Sequence, residues 1–166
     1  SSSNAALSTP AATPAKPAAT EPAKPAAPAA TTPAAPAAAP KTSYKAKEYA
    51  NADYKFSFWY PDTMTPAAPT AKYGVFSAAE PIAVPAVSAS VLDTDKLDKQ
   101  TEEGLTSVGG SAIKTVSTKD ITLADGKTKA QWSELAWKSS GYDITTISIA
   151  VNVAGNKTIS VSYTSL

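Results

Sequence analysis

Every glycine and every aromatic residue of this 166-residue chain lies at or beyond Tyr44. That boundary separates a segment that cannot build a core from one that can. Residues 1–43 hold nine of the 14 prolines, 17 alanines and one large apolar side chain, Leu7. Ordering a chain costs roughly 1–2 kcal/mol per residue, and a segment with so little apolar surface has nothing to offset it. Units such as Pro14-Ala15-Lys16-Pro17 and Pro22-Ala23-Lys24-Pro25 place proline at about every third position, which blocks helix and favours polyproline II. We therefore expect residues 1–43 to form a disordered Pro/Ala-rich linker. At about 3.1 Å per residue it would act as a semi-rigid spacer reaching on the order of 100 Å. Its Ser and Thr beside Pro also suit O-glycosylation.

Residues 44–166 are long enough for one hydrophobic core and too short for two. The whole chain lacks Cys, His and Arg. Disulfide frameworks, thiolate nucleophiles, zinc–thiolate sites and histidine general bases are thereby excluded. The net charge of +1 and the missing guanidinium argue against nucleic acid as a partner. No run of 18 apolar residues occurs, so nothing reads as a membrane span, and no signal peptide is expected at Ser1.

Alternation of Tyr54, Phe56, Phe58 and Tyr60 with polar or outward residues predicts a strand over 54–60, paired through an Asn51–Asp53 turn with Lys47 to Tyr49. Pro61 and Asp62 stop it, and 63–70 reads as irregular loop. Tyr73 to Ala79 and Ala86 to Leu92 read as strands, the second with Val87, Ala89 and Val91 on one face. Leu97, Thr101, Leu105 and Val108 recur at helical spacing after Asp95, the expected N-cap, and Gly109-Gly110 ends the helix. Four further runs, 114–123, 127–138, 142–153 and 158–164, are separated by turn signals including Asp125-Gly126, and predict an antiparallel meander. Within it Ala130 and Trp132 share one phase, Leu135 and Trp137 the other; Tyr142 and Ile144 are likewise out of phase with Ile147 to Val153. Folding that hairpin about Ser139/Ser140 would set Trp137 against Tyr142 and Leu135 against Ile144. Paired strands that bury opposite faces at their two ends imply a sheet covered on both sides.

Candidate sites are few. Asp93, Asp95, Asp98, Glu102 and Glu103 form the densest carboxylate group, but Asp98 stands where an EF-hand needs glycine and Gly104 where it needs glutamate. Interleaved Lys96 and Lys99 make a solvated helix face the better reading, and no metal site is expected. No phosphate-cradling, dinucleotide or nucleophile-elbow motif occurs, so neither a catalytic set nor a cofactor is assigned. Trp59, Trp137 and Tyr142 are the candidate binding residues, as rings on which sugars could stack, with core packing as the alternative for each.

The run Phe56-Ser57-Phe58-Trp59-Tyr60-Pro61-Asp62, one helix, and the meander turning at Asp125-Gly126, Gly141 and Gly155 together resemble the PsbP family over residues 47–166. The resemblance implies an α+β fold, an α-β-α sandwich with a central antiparallel sheet. Family members usually finish with a helix over the sheet, whereas Ser162 to Leu166 here still read as strand. The family offers no universal catalytic residues to carry over, and its bacterial chains are often secreted lipoproteins. A small-residue start before a Pro/Ala tether is similar to the region that follows a lipid-bearing cysteine.

The expectation is a non-enzymatic, extracytoplasmic binding or scaffold module of the bacterial cell envelope or secreted space. Residues 1–43 would tether it, with a protein partner or a cell-envelope polysaccharide as ligand, and membrane contact only through an N-terminal lipid anchor. The alternatives are a glycan-binding domain using the surface Trp and Tyr, and a carboxylate- or lysine-dependent hydrolase.

Overall fold

A computed structural model describes residues 44–166; the expected linker over 1–43 lies outside the described residues. Nine strands, one α-helix and a 3-10 turn follow in the order β1 (Ala46–Asn51), β2 (Phe56–Pro61), β3 (Thr65–Ala67), β4 (Gly74–Ala79), β5 (Ala86–Asp93), the turn Thr94–Lys96, α1 (Leu97–Ser107), β6 (Ser111–Thr122), β7 (Lys129–Ser139), β8 (Tyr142–Val153) and β9 (Lys157–Ser165). β1 and β2 form a separate hairpin, and the remaining strands make one seven-stranded sheet in the order β3-β4-β5-β9-β8-β7-β6. Every pairing is antiparallel.

The expected α-β-α sandwich is realised only in part. Helix α1 covers one face of the large sheet, but among the described residues the β1–β2 hairpin, not a second helix, lies on the other, so the fold is mainly β. The sequence dictates this second layer. Phe56, Phe58 and Tyr60 point inward from β2 at period two and meet Tyr49 from β1 and Phe76 from β4. Tyr49 stacks on Phe76 at 4.2 Å between ring centroids, and Tyr60 lies 5.2 Å from the same ring. Met64, Ala78, Val87 and Ala89 complete this core. Aromatic pairs of this kind are worth about 0.5–1.5 kcal/mol beyond their buried area.

Three local expectations are corrected. The segment read as loop over 63–70 contains the short edge strand β3. Asp95 does not cap α1: it sits inside the 3-10 turn, and the helix starts after Lys96 without a side-chain cap. The β7–β8 register is shifted by two residues, so that Trp137 opposes Ile144 and Ser139 opposes Tyr142. The reason is the turn. Ser140 (φ 52°) and Gly141 (φ 80°) are both left-handed, as a two-residue type I′ turn requires, so the turn is made by Ser140-Gly141 and not by Ser139-Ser140, and moving it one residue along the chain changes every pairing by two. A shift of two leaves each side chain on its original face, and Ala130 and the pair Leu135/Trp137 are buried on opposite sides of β7.

The outer strands differ. β3 has three residues and contains Pro66, while β6 has twelve and breaks register against β7 twice, around Ala112–Ile113 and at Val116.

Candidate functional site

On the helix-covered face the ladder pairs hydroxyls with hydroxyls. Ser77 opposes Ser88, Ser88 opposes Ser162, Ser162 opposes Ser148, Ser148 opposes Ser133, and Ser133 opposes Thr118. One row therefore crosses six strands with a Ser or Thr on each, about 4.8 Å apart. Flanking rows add Ser90 opposite Ser160, and Thr146 opposite Thr164.

Helix α1 does not lie flat on this floor. Only Gln100 of the helix is fully buried, and between the helix, the loop before β5 and the floor a groove of about 440 Å³ remains. Its apolar walls come from Leu105, Val108, Val84, Ile144 and Trp137, and its floor from the serines and threonines of β4, β5, β8 and β9. Among the described residues no Asp, Glu or Lys lines it.

The hydroxyls fall into two groups. Near β7 they are engaged with one another: Trp137 Nε1 donates to Thr146 Oγ1 at 2.9 Å, Thr146 and Thr164 share a hydrogen bond of 2.9 Å, and Ser148 and Ser162 one of 2.6 Å. Toward β4 and β5 the hydroxyls of Ser77, Ser88, Ser90 and Ser160 have no such partner among the described residues and line the groove half-buried. They are the groups with donors and acceptors to offer.

Two groups of hydrogen bonds and ion pairs hold the helix. At its start Lys157 Nζ donates to Asp93 Oδ1 at 2.5 Å, and Gln100 holds Asp93 as well. Those two hydrogen bonds hold the Asp93 carboxyl below the usual range, and Asp93 raises Lys157 in return. Further along, Tyr73 Oη donates to Glu103 Oε2 at 2.5 Å and Lys72 Nζ at 3.2 Å. The Tyr73 hydrogen bond, then that of Lys72, depresses Glu103, and Lys72 is raised by Glu103. Beyond the helix Gly110 passes so close to Trp137 that an added Cβ would stand 2.8 Å from its Cε3. Of these residues Tyr73, Gln100 and Trp137 line the groove, while Lys72, Asp93, Glu103 and Lys157 stand behind its lining and position the wall.

A second, more open hollow of about 670 Å³ lies where Thr94 and Leu97 approach Asp120, Lys129, Asn152 and Thr158. Its polar groups are largely engaged with one another: Lys129 Nζ donates to Thr122 Oγ1 at 2.9 Å and Thr158 Oγ1 to Asn152 Oδ1 at 2.7 Å.

The three ring residues singled out from the sequence are distributed. Trp137, 7% exposed, forms part of the groove wall, with its indole N–H committed to Thr146. Tyr142 lies on the same face at the β7–β8 turn and is 62% exposed. Trp59 sits on the outer side of the β1–β2 hairpin opposite Glu48, in the layer across the sheet from Trp137. No ring contact joins the three among the described residues. The carboxylates of 93–103 gather no group of three metal-ligating side chains among the described residues.

The hydroxyl floor was not identified from sequence, although its signal is there. Ser88-x-Ser90, Thr146-x-Ser148 and Ser160-x-Ser162-x-Thr164 alternate as regularly as the apolar residues between them. Such alternation ordinarily marks the wet side of a sheet.

No protein-family model matches the sequence. No curated protein matches it either. Among solved structures the chain is similar to the solution structure of cyanobacterial PsbP (CyanoP) from Synechocystis sp. PCC 6803, with TM-score 0.49 and 10% identity over 72% of this chain and 79% of that one. It is also similar to PA94, a protein of unknown function from Pseudomonas aeruginosa, with TM-score 0.37 and 12% identity over 72% of this chain and 82% of that one. The first of these bears the name of the family that the Phe56–Asp62 motif resembles.

Proposed function

We propose that this chain is a non-catalytic binding module whose ligand lies in the groove between helix α1 and the hydroxyl-bearing face of the sheet. One observation carries the reading: a groove of about 440 Å³, within the range of small-molecule clefts, has apolar walls, a polar floor and, among the described residues, no carboxylate or amine in its lining. General acid–base chemistry needs a titratable group within hydrogen-bond reach of the reacting atoms. Here Asp93 and Glu103 are turned to Lys157, Gln100, Tyr73 and Lys72 instead. Hydrolysis by carboxylate or lysine therefore has less support than binding.

The site of action we infer is extracytoplasmic, in the bacterial envelope or secreted space, with residues 1–43 as spacer. Composition carries this part, since a Pro/Ala-rich segment ahead of a compact domain suits a tether. A protein partner or an envelope polysaccharide remains the ligand class.

Saturation-transfer NMR against a library of neutral fragments tests the groove. Fragments are expected to compete with one another and to be lost when Ser90→Phe fills the floor; binders indifferent to that substitution would end the reading. Fractionation of native cells tests the location, and recovery in the soluble cytoplasm would defeat it. Turnover of a hydrolase substrate panel, abolished by Asp93→Asn or Glu103→Gln, would restore the enzyme alternative.

A further inference from the structure

We propose that the groove takes an uncharged, polyhydroxylated ligand, a glycan chain, and that Ser77, Ser88, Ser90 and Ser160 are the residues that read it. This rests on the groove being the ligand site and names the class of molecule that fits.

Complementarity of charge comes first. Among the described residues the lining has no Lys, Asp or Glu, and so offers no charged partner to a phosphate, a carboxylate or an ammonium group. What remains is a neutral ligand, and its polarity is set by the floor. Ser88 and Ser90 are two apart on β5, about 6.6 Å, and each faces a serine across a ladder, Ser77 and Ser160, at about 4.8 Å. Among the described residues these four hydroxyls have no hydrogen-bond partner, whereas their neighbours Thr146, Thr164, Ser148 and Ser162 do. The groove is thus polar in a specific place and apolar around it.

Two neutral alternatives fit less well. An acyl chain or other wholly apolar ligand would strip water from four serines and give no hydrogen bond back. A peptide presents donors and acceptors in fixed alternation and satisfies them best along a strand edge, whereas the serines lie on a sheet face. A hydroxyl both donates and accepts, and so do the ring hydroxyls of a sugar, so either partner can adopt either role. Leu105, Val108 and Val84 then meet the C–H faces of the sugar rings. Trp137 adds a wall whose ring is held in place by its bond to Thr146.

The test is titration of the full chain, labelled with 15N, with maltohexaose, cellohexaose and the hexamer of N-acetylglucosamine. Nile red and an uncharged Ala/Ser hexapeptide serve as the apolar and peptide probes. At least one oligosaccharide is expected to move the amide signals around Ser88–Ser90 and Ser160–Ser162 and the indole N–H of Trp137. Replacing both hydroxyls in Ser88→Ala/Ser160→Ala is expected to weaken that binding about tenfold, as the loss of two neutral hydrogen bonds would. Where the double variant loses its signal dispersion, Ser90→Ala alone carries the comparison. Movement of the groove signals by Nile red or the peptide only would overturn the glycan assignment and leave the groove as a binding site. Silence from every probe would overturn both. Oligosaccharide shifts confined to Trp59 or Tyr142, or affinity unchanged by the serine substitutions, would also defeat the proposal.

Discussion

Gln100 turns back from helix α1 and closes both polar groups of Asp93: its Oε1 accepts from the Asp93 backbone N–H at 2.5 Å, and its Nε2 donates to Asp93 Oδ2 at 3.2 Å. A glutamine is thus the one buried residue of the helix, and it fastens the helix to the end of β5 by two hydrogen bonds.

Gln100→Ala is expected to lower stability by about 1 kcal/mol, because the half-buried Asp93 loses two hydrogen bonds, one at its N–H and one at its carboxylate. Urea denaturation measures this. Equal midpoints for variant and parent would show that the fastening is dispensable.

The acid limb of the stability curve has a defined sign. Asp93 and Glu103 are depressed in the folded chain, and Asp125 is lowered to about 2 by the Thr128 hydroxyl and by the backbone N–H groups of Thr128 and Lys127. Carboxylates depressed on folding contribute stability above their unfolded values near 4, and lose it as pH falls through the folded ones. Melting temperature is therefore expected to drop between about pH 4 and pH 2, with a shallower slope in Asp125→Asn. Lys72 and Lys157 are raised, so their contribution is present below the unfolded value near 10.4 and fades at still higher pH. A melting temperature that is flat from pH 5 to pH 2 would contradict the assignment.

Thr146→Val preserves shape but removes the acceptor for the Trp137 indole. Both residues are buried, so the unpaired N–H is expected to cost about 1–3 kcal/mol. Denaturation gives the magnitude, and hydrogen exchange at the indole N–H, expected to quicken, gives the cause.

Two glycines next to the groove should respond in opposite directions. A Cβ on Gly110 would stand 2.7 Å from the Leu105 carbonyl oxygen and 2.8 Å from Trp137, so Gly110→Ala is expected to destabilise by about 1–3 kcal/mol. Gly104 lies within α1 with nothing within 4 Å of an added Cβ, and Gly104→Ala is expected to stabilise by about 0.5–1 kcal/mol. Paired thermal melts decide both.

What could be read from the sequence follows from which signals are local. Period-two aromatics gave β2, helical spacing gave α1, and Asp125-Gly126, Gly141 and Gly155 gave the turns of the meander. Register depends on which residues a turn takes, and the left-handed Ser140 could not be read from its residue type. Faces buried on both sides call for a second cover without naming it, and only the family resemblance implies a helix there; the β1–β2 hairpin supplies the cover from the other end of the domain. The groove was invisible for a different reason. Ser88, Ser90 and Ser160 look like solvent-side residues, and only the placement of α1 above them turns a wet face into a lined cleft.

The borders of the sheet bear on behaviour at high density. β3 ends after three residues and contains a proline that cannot donate to a ladder, and the longest regular run on β6, Ser117–Thr122, carries Lys119 and Asp120. An incoming strand finds little to zip onto at either margin of the seven-stranded sheet, which disfavours edge-to-edge joining there when copies are crowded.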